Sequence, residues 1–312
     1  MPLPTVDFLG IGAQRAGTTW LHSCLRPHPR VWLPPGKELH YFDRLSGQGP
    51  GFTRVGSLWR GVTGRGIESV DWRTRVAGSL LSVRRRHGLS AAAARELLWV
   101  ASFYAPGRKT DAWYRRLFAP GENRLKGEIT PEYAMLDDAG VRHVTGMFPN
   151  LKVIFILRDP VDRAQSMFHL RRKNNRRRGM PPPPDVMRFL VSDASTRFND
   201  YLRTIDTWSR YVPPDRFFLG WYDDTVADPQ AAIQRVAAFL GVDPDEPRML
   251  RNASKVFNAR EPGDPSIPRE AIEALARVER PRIAALAERL GGHATTWLDR
   301  CDAILSGGAA DD

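Results

Sequence analysis

The stretch Phe8-Leu-Gly-Ile-Gly-Ala-Gln-Arg-Ala-Gly-Thr-Thr-Trp-Leu21 decides the reading of this chain: an apolar run passes through a glycine-flanked loop directly into a helical segment. Val6 to Ile11 is short, continuous and apolar, the pattern of a strand buried on both faces. Gly12 and Gly17 allow a tight turn in which the backbone can approach a ligand closely. The first amides of the following helix have no intrahelical acceptor and point into that turn, so the loop is predicted to cradle an anion.

The spacing from Gly12 to Gly17 is that of a nucleoside-triphosphate P-loop, but Thr18 stands where that motif requires lysine. The positive charge lies inside the loop as Arg15, and Thr18 and Thr19 place two hydroxyls at the helix start. This set suits one phosphate with an adjoining acidic group.

Outward from the loop, the same strand-loop-helix unit recurs. Val153 to Leu157 is a second apolar run and Phe217 to Trp221 a third, followed by helix-compatible segments from Val161 to Leu170 and from Asp228 to Leu240. In the last of these Asp228 caps, Pro229 fits the first turn and Gly241 terminates. The expected fold class is α/β, a P-loop-like three-layer arrangement with a central parallel sheet flanked by helices. Ser46 to about residue 110 is expected to be a variable insert of loops and short helices. Arg171 to Arg178 has six basic residues in eight and runs into Met180 and Pro181 to Pro184; residues 171–184 are expected to form an exposed, mobile loop. Pro268 to Leu290 has helical spacing, with Pro281 expected to divide it, and the chain is expected to fray after Leu305.

The composition bounds the answer without deciding it. The 312 residues, 42% hydrophobic, suffice for one large domain, and residues 1–312 are read as a single one. No stretch approaches the ~20 apolar residues of a membrane span and the N-terminus lacks a basic start with a long apolar run, so a soluble cytoplasmic protein without stable membrane insertion is expected. Cys24 and Cys301 are read as buried thiols, without metal-ligand spacing to the seven histidines. The formal charge of +11 suggests anionic ligands, yet the basic residues are six lysines and 40 arginines, a bias that a GC-rich genome also produces.

Three further stretches join the loop: Lys37-Glu-Leu-His-Tyr-Phe-Asp43, Gly127-Glu-Ile-Thr-Pro-Glu-Tyr133 and Leu157-Arg-Asp-Pro-Val-Asp-Arg-Ala-Gln-Ser166. In this order the four stretches resemble the sulfotransferase family, most closely its bacterial and heparan-type members, which use 3′-phosphoadenosine 5′-phosphosulfate (PAPS) and release adenosine 3′,5′-bisphosphate (PAP). The resemblance implies that Arg15, Ala16, Gly17, Thr18, Thr19 and Trp20 bind the donor's 5′ end, that Arg158 and Ser166 bind its 3′-phosphate, and that Lys255 and Arg260 lie in a late loop closing over it. The competing reading of Arg158 is an ion pair with Asp162. The resemblance also implies Glu38 as general base, with Lys37 and Glu128 shaping the acceptor side. His40, on Glu38's side if this stretch is extended, is expected to orient the acceptor or to be the base itself.

The chain departs from the family at two places. Arg15 stands where lysine is usual, and a guanidinium cannot hand a proton to a leaving oxygen. Ile129 stands where heparan-type members often carry lysine. The expected partner is a small-molecule or glycan acceptor, with no nucleic acid and no metal. The competing classes are a P-loop kinase or NTPase, separable by magnesium dependence, and a non-catalytic polyanion binder using Arg171 to Arg178.

Overall fold

The computed structural model describes residues 4–46, 90–105, 107–177, 179–183, 185–255, 257 and 264–307. Most of the predicted insert and Arg260 lie outside the described residues.

Phe8–Gly12 (β1) has a parallel neighbour on each side, Leu125–Ile129 (β3) and Lys152–Leu157 (β4), in a register that pairs Phe8 with both Gly127 and Lys152. Val31–Trp32 (β2) extends the sheet beyond β3 and Phe217–Trp221 (β5) beyond β4, giving the order β2-β3-β1-β4-β5, parallel throughout. All of β1 and all but the first residue of β4 are buried, so helices or loops cover both faces of the sheet. Among the described residues the helices of seven residues or more are α1 (Thr18–Leu25), α2 (Ala91–Tyr104), α3 (Asp138–Met147), α4 (Pro160–Arg177), α5 (Tyr201–Ser209), α6 (Pro229–Leu240), α7 (Pro247–Ala253), α8 (Arg269–Leu290) and α9 (His293–Leu305).

Local chemistry accounts for most of these boundaries. The Asp228 carboxylate accepts from Ala231 N at 2.9 Å and Gly241 ends α6 at φ 79°, both as the sequence predicts. α2 is a 14-residue helix capped by Ser90, longer than the short helices expected before residue 110. The basic run Arg171 to Arg177 is the end of α4 and not a loop, which corrects the expected boundary at residue 171. Arginine and lysine are good helix formers, and the chain leaves the helix only near Gly179, at φ 65°, before the prolines. Pro281 does not divide α8. The buried side chains of Leu275, Ala276, Ile283 and Leu286 on one face hold both halves to the core against the ~3 kcal/mol cost of an internal proline. No helix among the described residues is long and apolar enough to cross a membrane.

The sheet turns around β1. From β1 the chain passes to β2 and returns beside β1 as β3, then crosses to β4 and β5 on the other side. The carboxyl ends of β1 and β4 therefore flank a topological switch point, where open α/β sheets form their binding crevice. Close packing at this centre makes Gly127 obligatory, since a Cβ there would stand 2.4 Å from two ring carbons of Phe8. Gly127→Ala is expected to cost roughly 1–3 kcal/mol through overpacking, measured by urea unfolding; an unchanged midpoint would mean that β1 and β3 can separate without penalty.

Candidate active site

The loop from Ala13 to Gly17 leaves β1 at the switch point, and α1 starts from Gly17 at φ 78°. A Cβ on Gly17 would approach the Tyr222 ring to 3.3 Å, so the position needs glycine for conformation and for space. Arg15 also has positive φ, 68°, which turns its side chain across to α4, where Nε donates to Ser166 Oγ at 2.9 Å. Arg158, at the end of β4, donates from Nη1 to the Arg15 carbonyl at 2.9 Å and lies 4.5 Å over the ring of Tyr222. The loop, the β4 terminus and α4 are thus drawn together around two guanidinium groups. Burial and the neighbouring Arg158 charge lower the Arg15 pKa to about 10.

Arg158 Nε is buried without a hydrogen-bond partner. The ion pair with Asp162 considered for Arg158 does not form; Asp162 instead pairs with Arg300 at 3.3 Å. Two clustered guanidiniums and an unmet buried donor are the chemistry of an anion site, and the residues present fit a phosphorylated ligand.

Lys37 adds a third cation. Its Nζ lies 3.5 Å from Thr18 Oγ1 and 3.4 Å from Thr19 Oγ1, at the first turn of α1, and also contacts Glu38 Oε1. The ammonium expected on the acceptor side therefore bridges the anion loop and the carboxylate. Glu38 and His40 are not on one side of an extended strand, since their φ values are 63° and 53°. The kinked backbone nonetheless brings His40 Nε2 to 4.0 Å from Glu38 Oε2. On the other side of the ring, His40 Nδ1 is 2.8 Å from the buried Asp43 Oδ2 and 3.8 Å from Glu132 Oε2. Burial alone would lower the His40 pKa, but the Asp43 hydrogen bond and the charges of Glu132, Asp43 and Glu38 outweigh it and the net direction is up. Glu38, His40 and Glu132 each bring one ligand-capable atom within 4.8 Å of the others. The Lys37 ammonium already places positive charge against Glu38.

Glu128 is in a different position from the one expected. It is 2% exposed and accepts from Thr130 Oγ1 at 2.7 Å, Tyr133 Oη at 2.8 Å, Leu39 N at 3.2 Å and Tyr114 Oη. All its acceptor capacity faces inward, and it anchors the backbone between Glu38 and His40 from below. Tyr133 Oη in turn accepts from Tyr41 N at 3.1 Å. Ala16 uses its N–H inside the turn, donating to the Ala13 carbonyl at 3.1 Å, and Trp20 is buried with its indole N–H on the Ala253 carbonyl at 2.8 Å, tying α1 to α7. Lys255 is exposed and donates to Asn252 at the end of α7. Sequence reasoning missed Gln14, Asp43, Glu132 and Tyr222 as members of the site. Asp43 and Glu132 stand inside stretches already singled out, but nothing local marks a carboxylate as buried.

A parallel sheet with an anion loop and an arginine at its switch point, facing a carboxylate-imidazole group, defines a class of enzymes that transfer an anionic group. The chain belongs to the sulfotransferase family, whose family model matches residues 8–246. Among curated proteins it is similar to heparan sulfate glucosamine 3-O-sulfotransferase 6 of Mus musculus, 29% identical over 153 residues that make up 47% of this chain and 43% of the relative. It is also similar to heparan sulfate glucosamine 3-O-sulfotransferase 3B1 of the same species, 28% identical over 42% of this chain and 35% of the relative. The match spans less than half the length of these curated relatives. Among solved structures, a sulfotransferase from Alicyclobacillus acidocaldarius superposes with a TM-score of 0.58 at 17% identity, covering 95% of this chain and 99% of the other, a likeness of fold.

Because Glu128 gathers four donors in the core, Glu128→Ala is expected to cost about 3 kcal/mol or more by stranding the hydroxyls of Tyr114, Thr130 and Tyr133. Thermal unfolding of the unliganded chain checks this. Wild-type stability in that variant would make Glu128 an acceptor-side group after all.

Proposed function

We propose that the chain moves a sulfuryl group from PAPS to a hydroxyl of a glycan or small metabolite, with an amine the less favoured acceptor. The observation that carries the reading is the convergence of Arg15, Arg158 and Ser166 on one side of the α1 N-terminus with the Lys37–Glu38 pair on the other. When bound, the donor supplies an activated sulfuryl group and a bisphosphate leaving group.

Each side chain then has a separable role. Arg158 with its unmet Nε, together with Ser166, suits the 3′-phosphate. Arg15, the first amides of α1 and the hydroxyls of Thr18 and Thr19 suit the 5′ end. Arg15 stabilises charge at the leaving oxygen, and the position of Lys37 between the two threonine hydroxyls compensates for the lysine missing from the loop. Glu38 accepts the acceptor's proton as its oxygen bonds to sulfur and the bond from sulfur to the departing phosphate oxygen breaks. The raised pKa of His40 favours its charged form, which orients Glu38 and leaves the base role to the carboxylate. The exposed Lys255 remains a candidate for closure over the donor, as does Arg260 outside the described residues, and the curated relatives' names point to glycan hydroxyls as the first acceptors to try.

The test is calorimetry with PAP, coupled to turnover of PAPS against a panel of hydroxylated acceptors in metal-free buffer. Glu38→Gln is expected to lower turnover roughly 10²–10⁴-fold with PAP affinity changed only a few-fold. Arg158→Ala is expected to weaken PAP binding at least about tenfold. Absence of PAP binding by the wild-type chain overturns the reading, and equal loss of binding in both variants overturns the division of roles.

A further inference from the structure

Glu132 has no role in the scheme above, yet it makes a second connection, besides that of Lys37, between the two halves of the site. It follows Pro131 in the short turn after β3 and is 6% exposed. Its Oε1 accepts from Gln14 Nε2 at 3.0 Å, and Gln14 belongs to the anion loop. Its Oε2 is buried without a hydrogen-bond partner and stands 3.8 Å from His40 Nδ1. The imidazole is enclosed by carboxylates from two segments: Glu38 and Asp43 from its own, and Glu132 from the turn after β3. Lys37 is engaged with the other oxygen of Glu38 and with α1.

Asp43 already accepts from the imidazole by a direct hydrogen bond, so Glu132 acts on the ring by charge and not as its hydrogen-bond partner. What it adds is a second negative charge, anchored to the loop that holds the donor. We propose that Glu132 is a positioning residue that acts through His40: Gln14 ties one carboxylate oxygen to the anion loop while the other holds the imidazolium, so that the proton-accepting Glu38 is registered against the donor. This rests on the sulfuryl-transfer reading above and deepens it.

The direction of the pH effect follows from the charges. A carboxylate near an imidazole favours the charged form, and His40 titrates above its ordinary value although burial opposes this. The imidazolium therefore persists to higher pH than that of an ordinary histidine and is lost as pH rises through the raised value. Glu132 is itself pushed up by burial and by the Glu38 charge, with the His40 charge opposing. Removing the Glu132 charge lowers the His40 midpoint, so the alkaline limb of turnover moves to lower pH.

The experiment follows the His40 ring nitrogens by NMR in the full-length ¹⁵N-labelled chain, and the pH profile of turnover, for the wild type, Glu132→Gln, Glu132→Asp and Gln14→Ala. Glu132→Gln is expected to lower the His40 midpoint by about one pH unit, the low end of what a neighbouring carboxylate does, with the alkaline limb of turnover moving alongside it. Glu132→Asp is expected to restore most of both. Gln14→Ala is a change at a partly exposed loop position that leaves the buried carboxylate in place; it is expected to move both readouts in the same direction by less, and it keeps the test open if Glu132→Gln fails to fold. An unmoved His40 midpoint in a folded variant overturns the proposal, as does a moved midpoint with an unmoved turnover profile. The NMR arm needs no turnover, so a chain with the expected midpoints that never transfers a sulfuryl group overturns the functional reading and not the electrostatic link.

Discussion

Two guanidinium groups, Arg15 and Arg158, are held side by side at the carboxyl ends of β1 and β4, and the rest of the site is arranged around their shared demand for an anion. Like charges brought together and partly desolvated destabilise a fold unless a counter-charge arrives, and the depressed Arg15 pKa records that tension. The fold withstands it because each group is held by more than charge. Arg15 is hydrogen-bonded to Ser166, and Arg158 lies over an aromatic face with one donor on a backbone carbonyl. Placing this pair at the switch point gives it the crevice, the loop amides and the α1 N-terminus at once.

The acceptor side answers with the opposite sign. Glu38, Asp43 and Glu132 surround one imidazole, and Lys37 reaches from this carboxylate group to the first turn of α1. A cationic end beside an anionic end is a division that transfer of an anionic group uses, because negative charge collects on the leaving group while a proton must be taken at the attacking atom. The buried Glu128 carries this arrangement from below. Through Leu39 N and Tyr133 it fixes a backbone that departs from extended geometry at both Glu38 and His40.

Much of this architecture was legible along the chain, for identifiable reasons. β1, β4 and β5 announce themselves as short apolar runs, and α1 and α6 by a glycine, an aspartate cap or a following glycine, because these signals act between residues adjacent in sequence. The two-residue β2 carries too little pattern to stand out and exists because it pairs with β3. The helical course of Arg171 to Arg177 and the uninterrupted passage of α8 through Pro281 were misread for a common reason: a local signal, a charge run or a proline, was weighed without the packing that overrides it.

The same division holds at the site. The anion loop, the arginine ending a later inner strand and the Lys37–Glu38 pair are legible along the chain, because each is a residue type at a spacing that local backbone geometry converts directly into chemistry. That Lys37 lies over α1, that Glu128 faces the core and that Glu132 reaches Gln14, 118 residues earlier, while facing His40 follows from the folded chain alone. Burial and charge pairing are properties of what surrounds a side chain, and those surroundings come together only when β3 returns parallel between β1 and β2 and brings the segments that follow these strands to one end of the sheet.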